Sequence, residues 1–315
     1  VQTCALPIYR RCANLESAAA CNWLIADDDR IGLQCGQCRC CRLTRTLPDL
    51  SIDENGRWWG RIELAKRRLV SSLIALGLPV RSRTLDDPQS GLAIDLLRAA
   101  PGAAPIVTGH SGGVITIDVE EADDSTRERR RADLREPYRT VLGHLRHESG
   151  HYYWELLVEP GEWLEPWRAL FGDERLDYRG ALEQHYRCGP PAGWQTQHVS
   201  AYASCHPWED WAETWAHYLH VIDTLDTARS FGLEGDRIEA DSDGFTVQDL
   251  GGSGDDRPET FLALLNPWIE LTAVINELSR GMGAPDFYPF VLSAAAVRKL
   301  HFVHRVIGAC RASPG

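Results

Sequence analysis

Positive charge is outweighed in this chain: 33 lysines and arginines stand against 45 aspartates and glutamates, a net charge of −12. General nucleic-acid binding needs a basic surface, so that class of function is excluded. Long apolar runs are also missing. The best stretches, at 69–78 and 262–271, are short or interrupted by Gly77 and Pro267. A bilayer-spanning helix needs about 20 apolar residues, so no membrane span is expected. An initiator methionine and a signal-peptide pattern are absent too. The string Thr3-Cys4-Ala5-Leu6-Pro7-Ile8 matches the translation of a common sequencing adapter. Residues up to Ile8 therefore read as an assembly artefact, with the natural start expected elsewhere.

The remainder is an ordinary globular composition, 43% hydrophobic and 25% charged. The length of 315 residues suffices for one large domain and a small one. The basic cluster at 127–131 includes Glu128 and reads as a salt-bridged helix face rather than an anion site. Cysteine is unevenly spread. Of the ten cysteines, seven precede Arg42 and three are scattered. Disulfide-rich secreted domains spread their cysteines through a small fold. The tight Cys35-Gly36-Gln37-Cys38-Arg39-Cys40-Cys41 run instead has the form of a zinc knuckle and favours a reducing cytoplasm. Cys12, Cys21, Cys38 and Cys41 are the chosen ligands of a structural Zn²⁺, with Cys35/Cys38 as an alternative register. Cys188, Cys205 and Cys310 read as buried thiols.

Two domains follow: a Cys-rich, zinc-ribbon-like segment at 1–47 and a larger body at 48–315. In the body a helix is expected over 55–76, ending at Gly77 with Pro79 beyond. Residues 84–104, rich in Pro, Gly, Asp and Ala, read as a loop. The β-branched segments 106–108 and 114–119 imply a hairpin around the tip 109–113. A helix runs from Tyr138 to Val158, with Pro137 in its first turn. A second helix covers 207–225. Residues 232–256 read as a loop, and the chain from 258 onward as mostly helical.

The 138–158 helix carries His147-Glu148-Ser149-Gly150-His151, an HExxH motif. Histidines four apart share one helix face, so both imidazoles can hold one Zn²⁺. Glu148 beside them can take a proton from a water on that metal. His144, His147, Glu148, His151 and Glu155 lie on one stripe.

A zinc peptidase needs a third protein ligand and leaves the fourth position to water. The 207–225 helix supplies candidates. Trp208, Trp211, Trp215 and Leu219 form one stripe; Glu209, Ala212, Glu213, Ala216, His217 and His220 form the other. The alanines allow close approach of a second helix, and carboxylates buried there need a cation. Glu209 is assigned as the ligand and Glu213 as an acceptor orienting a ligating histidine; Asp210 points away. Tyr202, seven residues before Glu209, reads either as a donor to an oxyanion or as a packed core tyrosine. His110 reads as a loop residue or as part of a cleft. His144, His217 and His220 border the metal stripe. Tyr152, Tyr153 and Trp154 pack the core.

The strings Cys12-Ala13-Asn14, Cys21-Asn22-Trp23-Leu24, Cys41-Arg42-Leu43-Thr44-Arg45-Thr46, Thr108-Gly109-His110, Glu136-Pro137-Tyr138-Arg139-Thr140, 146–154 and 206–220 resemble the bacterial zinc-binding metallopeptidases with an N-terminal zinc ribbon. The likeness spans the chain from Arg11 to Ile307. Members of that family begin with a further pair of CxxC knuckles, absent here. The Tyr202, Glu209, Glu213 spacing is similar to that of glutamate-ligated zincins, which implies Glu209 as the zinc ligand and Tyr202 as the oxyanion donor. The expectation is an α+β fold: a mostly helical, zincin-like metallopeptidase domain with a small β-hairpin or sheet, preceded by the ribbon segment. It would act on a peptide or protein substrate with one catalytic Zn²⁺ and a second, structural one. The alternative is a non-catalytic zinc scaffold that recruits a partner.

Overall fold

The computed structural model describes residues 9–134, 136–233, 244–251 and 257–312. The expectation for residues 1–8, and that for 234–243 and 252–256 within the 232–256 loop, lie outside the described residues. The chain forms two compact units, 1–135 with 139–152 and 136–138 with 153–315.

The first unit starts with the cysteine segment. Strands β1 (Arg10–Arg11) and β2 (Leu24–Ile25) pair antiparallel. Helix α1 (Arg30–Cys35) is capped by Asp29, whose carboxylate accepts from the Gly32 amide at 2.9 Å. It ends at Gly36, whose positive φ of 73° lets its own N–H close back on the Gly32 carbonyl. Buried Arg42 ties α1 to the next loop, at 2.7 Å from Asp29 and 2.9 Å from Asp86.

Strand β3 (Thr44–Thr46) leads into α2 (Asp53–Ala75). Trp59, Ile62, Leu69 and Leu73 of α2 are buried, as their helical spacing requires. The cysteine segment lies against this helix: the Arg67 guanidinium donates to the Ala19 carbonyl at 2.9 Å.

A four-stranded sheet follows in the order β3, β4 (Ala93–Leu97), β6 (Val114–Asp118), β5 (Gly109–Ser111). β3, β4 and β6 are parallel, and β5 is the antiparallel edge. β4 corrects the loop expected over 84–104. Ala93, Ile94, Asp95 and Leu96 are all buried, the pattern of a parallel strand covered on both faces. The hairpin is also tighter than expected. Gly112 and Gly113, with φ of 53° and 77°, supply the two positive-φ positions of a two-residue turn. Gly109 and His110 therefore belong to a strand and not to a loop tip.

Helix α3 (Asp124–Leu134) carries the basic cluster. Arg127 pairs with Asp124, Arg131 with Glu128, and Arg130 with Asp118 and Glu121, while Arg129 donates to Thr126 Oγ1. Helix α4 (Val141–Leu157) follows, starting three residues later than expected. Its first three turns belong to the first unit, and from Tyr153 onward it belongs to the second.

Among the described residues the second unit is helical: the end of α4, then α5 (Leu164–Phe171), α6 (Tyr178–Cys188), α7 (Pro207–Ser230), α8 (Pro258–Gly281) and α9 (Ala294–Ala312). Pro207 in the first turn of α7 suits a position where no amide is needed. Tyr153 stacks on Trp215 with centroids 5.0 Å apart. Trp167, Phe171, Trp211 and Phe302 form the adjoining aromatic cluster. α7 is buried on more than the two stripes its sequence shows. Asp210, Thr214 and Tyr218 are as inaccessible as Trp211 and Trp215. Among the described residues, no helix is long and apolar enough to cross a membrane.

Candidate metal centres

Among the described residues, two groups of side chains have the composition and closeness of metal sites. In the cysteine segment, Cys12, Cys21, Cys38 and Cys41 are all buried, and their sulfurs lie within 4.8 Å of one another. Cys21 Sγ and Cys38 Sγ are 3.7 Å apart. With Zn–S bonds of about 2.3 Å, the edge of a thiolate tetrahedron is about 3.8 Å. A disulfide would need about 2.05 Å. The Cys38 amide donates to Cys12 Sγ and the Cys41 amide to Cys38 Sγ, both at 3.4 Å. Such bonds spread the negative charge of ligating thiolates. The hydrogen bonds from Cys38 and Cys41 pull the Cys12 thiol down to about 2. Those same bonds to Cys12 push the Cys38 and Cys41 thiols up. Four thiols this close compete for protons until a cation replaces them, and the set fits Zn²⁺.

The surroundings fit as well. A tetrathiolate zinc site carries excess negative charge. Lys66, fully buried on α2, donates to Glu63 Oε1 at 2.6 Å and to Thr44 Oγ1. Its positive field reaches the Cys40 and Cys41 thiols. Cys40 is buried outside the four, and burial pushes its thiol up. Cys35 is exposed and also outside the four, so the alternative register is not the one adopted. Cys188 is exposed, against expectation, while Cys205 and Cys310 are half-buried. Among the described residues, none of these three joins a ligand group.

The second group is His147, His151 and Glu209, again all buried, with one ligand atom from each lying within 4.8 Å of the others. The two imidazoles are brought together by the helix itself, with ring centroids 5.1 Å apart and planes at 78°. Two imidazoles and a carboxylate are the donor set of an open zinc site, and they fit that ion. Glu148 is buried beside them at 8% exposure.

Around the histidines, Glu121 is buried and receives Arg130 at 2.5 Å and Arg139 at 2.8 Å, with His144 Nδ1 3.6 Å away. This network holds the start of α4. His110, on the edge strand, lies parallel to His151 with centroids 6.3 Å apart. Its Nε2 accepts from the Gly113 amide at 3.0 Å, which places the ring proton on Nδ1. Burial first, then the neighbouring His151 and Arg83, push its pKa down to about 3, so the ring is neutral.

Around Glu209, the Tyr178 hydroxyl donates to Glu209 Oε1. Tyr202 lies in a 3-10 turn, Tyr202–Ser204, with its ring 5.7 Å from that of His185 and 6.5 Å from that of Tyr186. Burial, then the charge of Glu209, raise its phenol well above the usual value, so it stays a neutral donor. Glu213 accepts from Ser200 Oγ at 2.6 Å. His217 Nδ1 meets the Tyr288 hydroxyl at 2.5 Å, and His220 packs edge-on against Tyr138. Tyr152 and Trp154 are buried with Tyr153, and the Tyr152 hydroxyl donates to the Ser90 carbonyl at 2.8 Å. Asp210 is buried, with its carboxylate 2.5 Å from Lys299 Nζ.

Tyr178 and the buried partners of Asp210 were not identified from sequence. Each lies 30 or more residues from the group it serves, in segments without a motif, except for His198, which lies 3.1 Å from the Asp210 carboxylate. His110 is part of a string that resembles the metallopeptidase family, yet its place in a strand was hidden by the glycines around it.

Residues 55–306 match the family model described as "Putative zinc-binding metallo-peptidase", and residues 2–52 match a zinc-ribbon domain. Uncharacterized proteins of Mycobacterium tuberculosis and Mycobacterium bovis are each 44% identical over 297 residues, covering 94% of this chain and 82% of theirs. No solved structure matches the chain. With most of its length matched, the chain belongs to the family of zinc-binding metallopeptidases that carry an N-terminal zinc ribbon.

Proposed function

We propose that this protein is a zinc-dependent peptidase that hydrolyses peptide bonds of a peptide or protein substrate. His147, His151 and Glu209 would hold the catalytic ion, and Cys12, Cys21, Cys38 and Cys41 a second, structural one. A bound Zn²⁺ supplies Lewis acidity and lowers the pKa of water toward neutrality. Glu148, between the two histidines on the same helix, is the base that takes the proton of the attacking water. It then delivers that proton to the departing amine. Tyr202, protonated and close enough to feel the charge of Glu209, is the donor to the carbonyl oxygen as negative charge builds there. Reduced thiolates in the ribbon suit a cytoplasmic location.

The proximity of one ligand atom each from His147, His151 and Glu209, all three buried, supports this function best. Burying a carboxylate between imidazoles is costly without a cation. The test is a proteome-derived peptide library digested by the zinc-loaded protein and by its Glu148→Gln variant. The variant is expected to keep its zinc and lose most cleavage, because an amide cannot accept the water's proton. Equal cleavage by both proteins would refute the assignment of Glu148. No cleavage by either, with zinc bound, would favour a scaffold.

A further inference from the structure

We propose that Tyr178 is a positioning residue for the carboxylate ligand Glu209, and that His206 holds Tyr178 in place. The inference rests on the zinc site proposed above and concerns residues that the HExxH motif does not include.

His206 is the N-cap of α7, and its Nδ1 accepts from the Trp208 amide at 3.1 Å. That bond leaves the ring proton on Nε2, which donates to the Leu176 carbonyl at 3.3 Å. One neutral imidazole therefore joins the start of α7 to the turn preceding α6. Tyr178, two residues past Leu176, is the first residue of α6, and Asp177 caps that helix by accepting from the Gly180 amide at 3.0 Å. The Tyr178 ring stands edge-on to two rings of the α7 start. Its centroid is 5.1 Å from that of His206 at 89°, and 5.9 Å from that of Trp208 at 77°. Tyr178 is 36% exposed, and the two perpendicular ring contacts with the capped helix orient its phenol. Its hydroxyl donates to Glu209 Oε1, and Glu209 is 1% exposed.

A carboxylate ligand has two oxygens. When a donor occupies one, the other is turned toward the metal and the side-chain torsions are fixed before the ion arrives. Groups that orient a ligand in this way are worth about 10–100-fold in metal affinity. Phenylalanine at 178 would keep the ring contacts and remove only the donor.

The experiment uses the full chain loaded with zinc and titrated with a competing chelator. The ribbon serves as an internal reference, and His151→Ala identifies which step belongs to the HExxH site. Tyr178→Phe is expected to weaken that step about 10–100-fold, leave the ribbon step unchanged, and alter the cobalt absorption spectrum of the HExxH site. His206→Asn keeps a capping side chain but loses the link to Leu176. It is expected to weaken the same step by less, and the double variant should be no weaker than Tyr178→Phe alone. An unchanged HExxH step in Tyr178→Phe would overturn the proposal. Additive losses in the double variant would overturn the role of His206. If the wild-type chain shows no HExxH step at all, the zinc site itself fails, an outcome distinct from either of these.

Discussion

Lys299 Nζ lies 2.5 Å from Asp210 Oδ2, and both side chains are almost fully buried. The same ammonium donates to the Gln197 carbonyl at 2.7 Å, and His198 Nδ1 stands 3.1 Å from the same carboxylate oxygen. Asp210 directly follows Glu209, so of these two adjacent buried carboxylates it is Asp210 that faces a buried ammonium. Removing one partner of a buried pair leaves an uncompensated charge and costs about 3–5 kcal/mol. Lys299→Met is expected to lower the stability of the zinc-free chain by that amount in urea unfolding. Adding Asp210→Asn should recover part of the loss, since the stranded charge is then gone. A Lys299→Met loss below about 0.5 kcal/mol, the scale of an ordinary surface change, would contradict the pairing.

The two helices that carry the candidate ligands are legible because periodicity is local. His147 and His151 share a face by spacing alone, and Pro207 marks the start of α7. The β4 strand was not legible. Its five residues, interrupted by Asp95, lie in a stretch rich in prolines and glycines, and its parallel partners β3 and β6 are remote in sequence, so no turn announces it. The hairpin register is hidden by its glycines: Gly109 reads as part of the turn, although the turn needs only Gly112 and Gly113. Asp210 points away from the alanine stripe, but its burial is not legible from two stripes, because α7 is covered nearly all round. Tyr178 could not be found, because a hydrogen bond across 31 residues leaves no pattern.

The four ribbon thiols make a stoichiometric prediction. Protein prepared without chelator should carry two zinc ions per chain by elemental analysis, four thiolates and the HExxH group each holding one. Cys21→Ser should carry one, and so should His151→Ala. Because binding energy at a thiolate site stabilises the local fold, Cys21→Ser should also unfold at lower temperature. One zinc in the wild type, retained by Cys21→Ser and lost by His151→Ala, would eliminate the ribbon site and spare the other.

Glu121 makes a pH prediction. Burial alone would raise its pKa, but hydrogen bonds from Arg139 and Arg130 and the field of His144 outweigh burial and hold it below 4.5. A carboxylate depressed in the folded state contributes stability above its unfolded pKa and loses it as pH falls through the folded value. The wild type should therefore exceed Glu121→Gln in stability near neutral pH, and the advantage should shrink as the pH drops below 4.5. Urea unfolding of the zinc-free proteins across that range measures it. A gap that stays constant with pH would mean that Glu121 acts through packing and not through charge.

Two glycines of α2 face the same stretch of the ribbon and should respond in opposite ways to alanine. A Cβ at Gly60 would lie 2.4 Å from the Ala18 carbonyl oxygen, a backbone atom that cannot swing aside. A Cβ at Gly56 would meet the Ala18 methyl at 3.7 Å, an ordinary contact. Both changes gain about 1 kcal/mol of helix propensity. At Gly56 nothing opposes that gain, so Gly56→Ala should be neutral or stabilising. At Gly60 the ribbon must shift, at a cost of about 1–3 kcal/mol. The shift would strain the neighbouring bond from Arg67 to the Ala19 carbonyl and move Cys21, two residues on. Gly60→Ala should therefore lose net stability and hold the ribbon zinc less tightly, while the HExxH zinc is unaffected. Thermal unfolding and chelator titration of the two variants side by side check this. Equal behaviour of Gly56→Ala and Gly60→Ala would mean that the ribbon does not rest on α2 at Ala18.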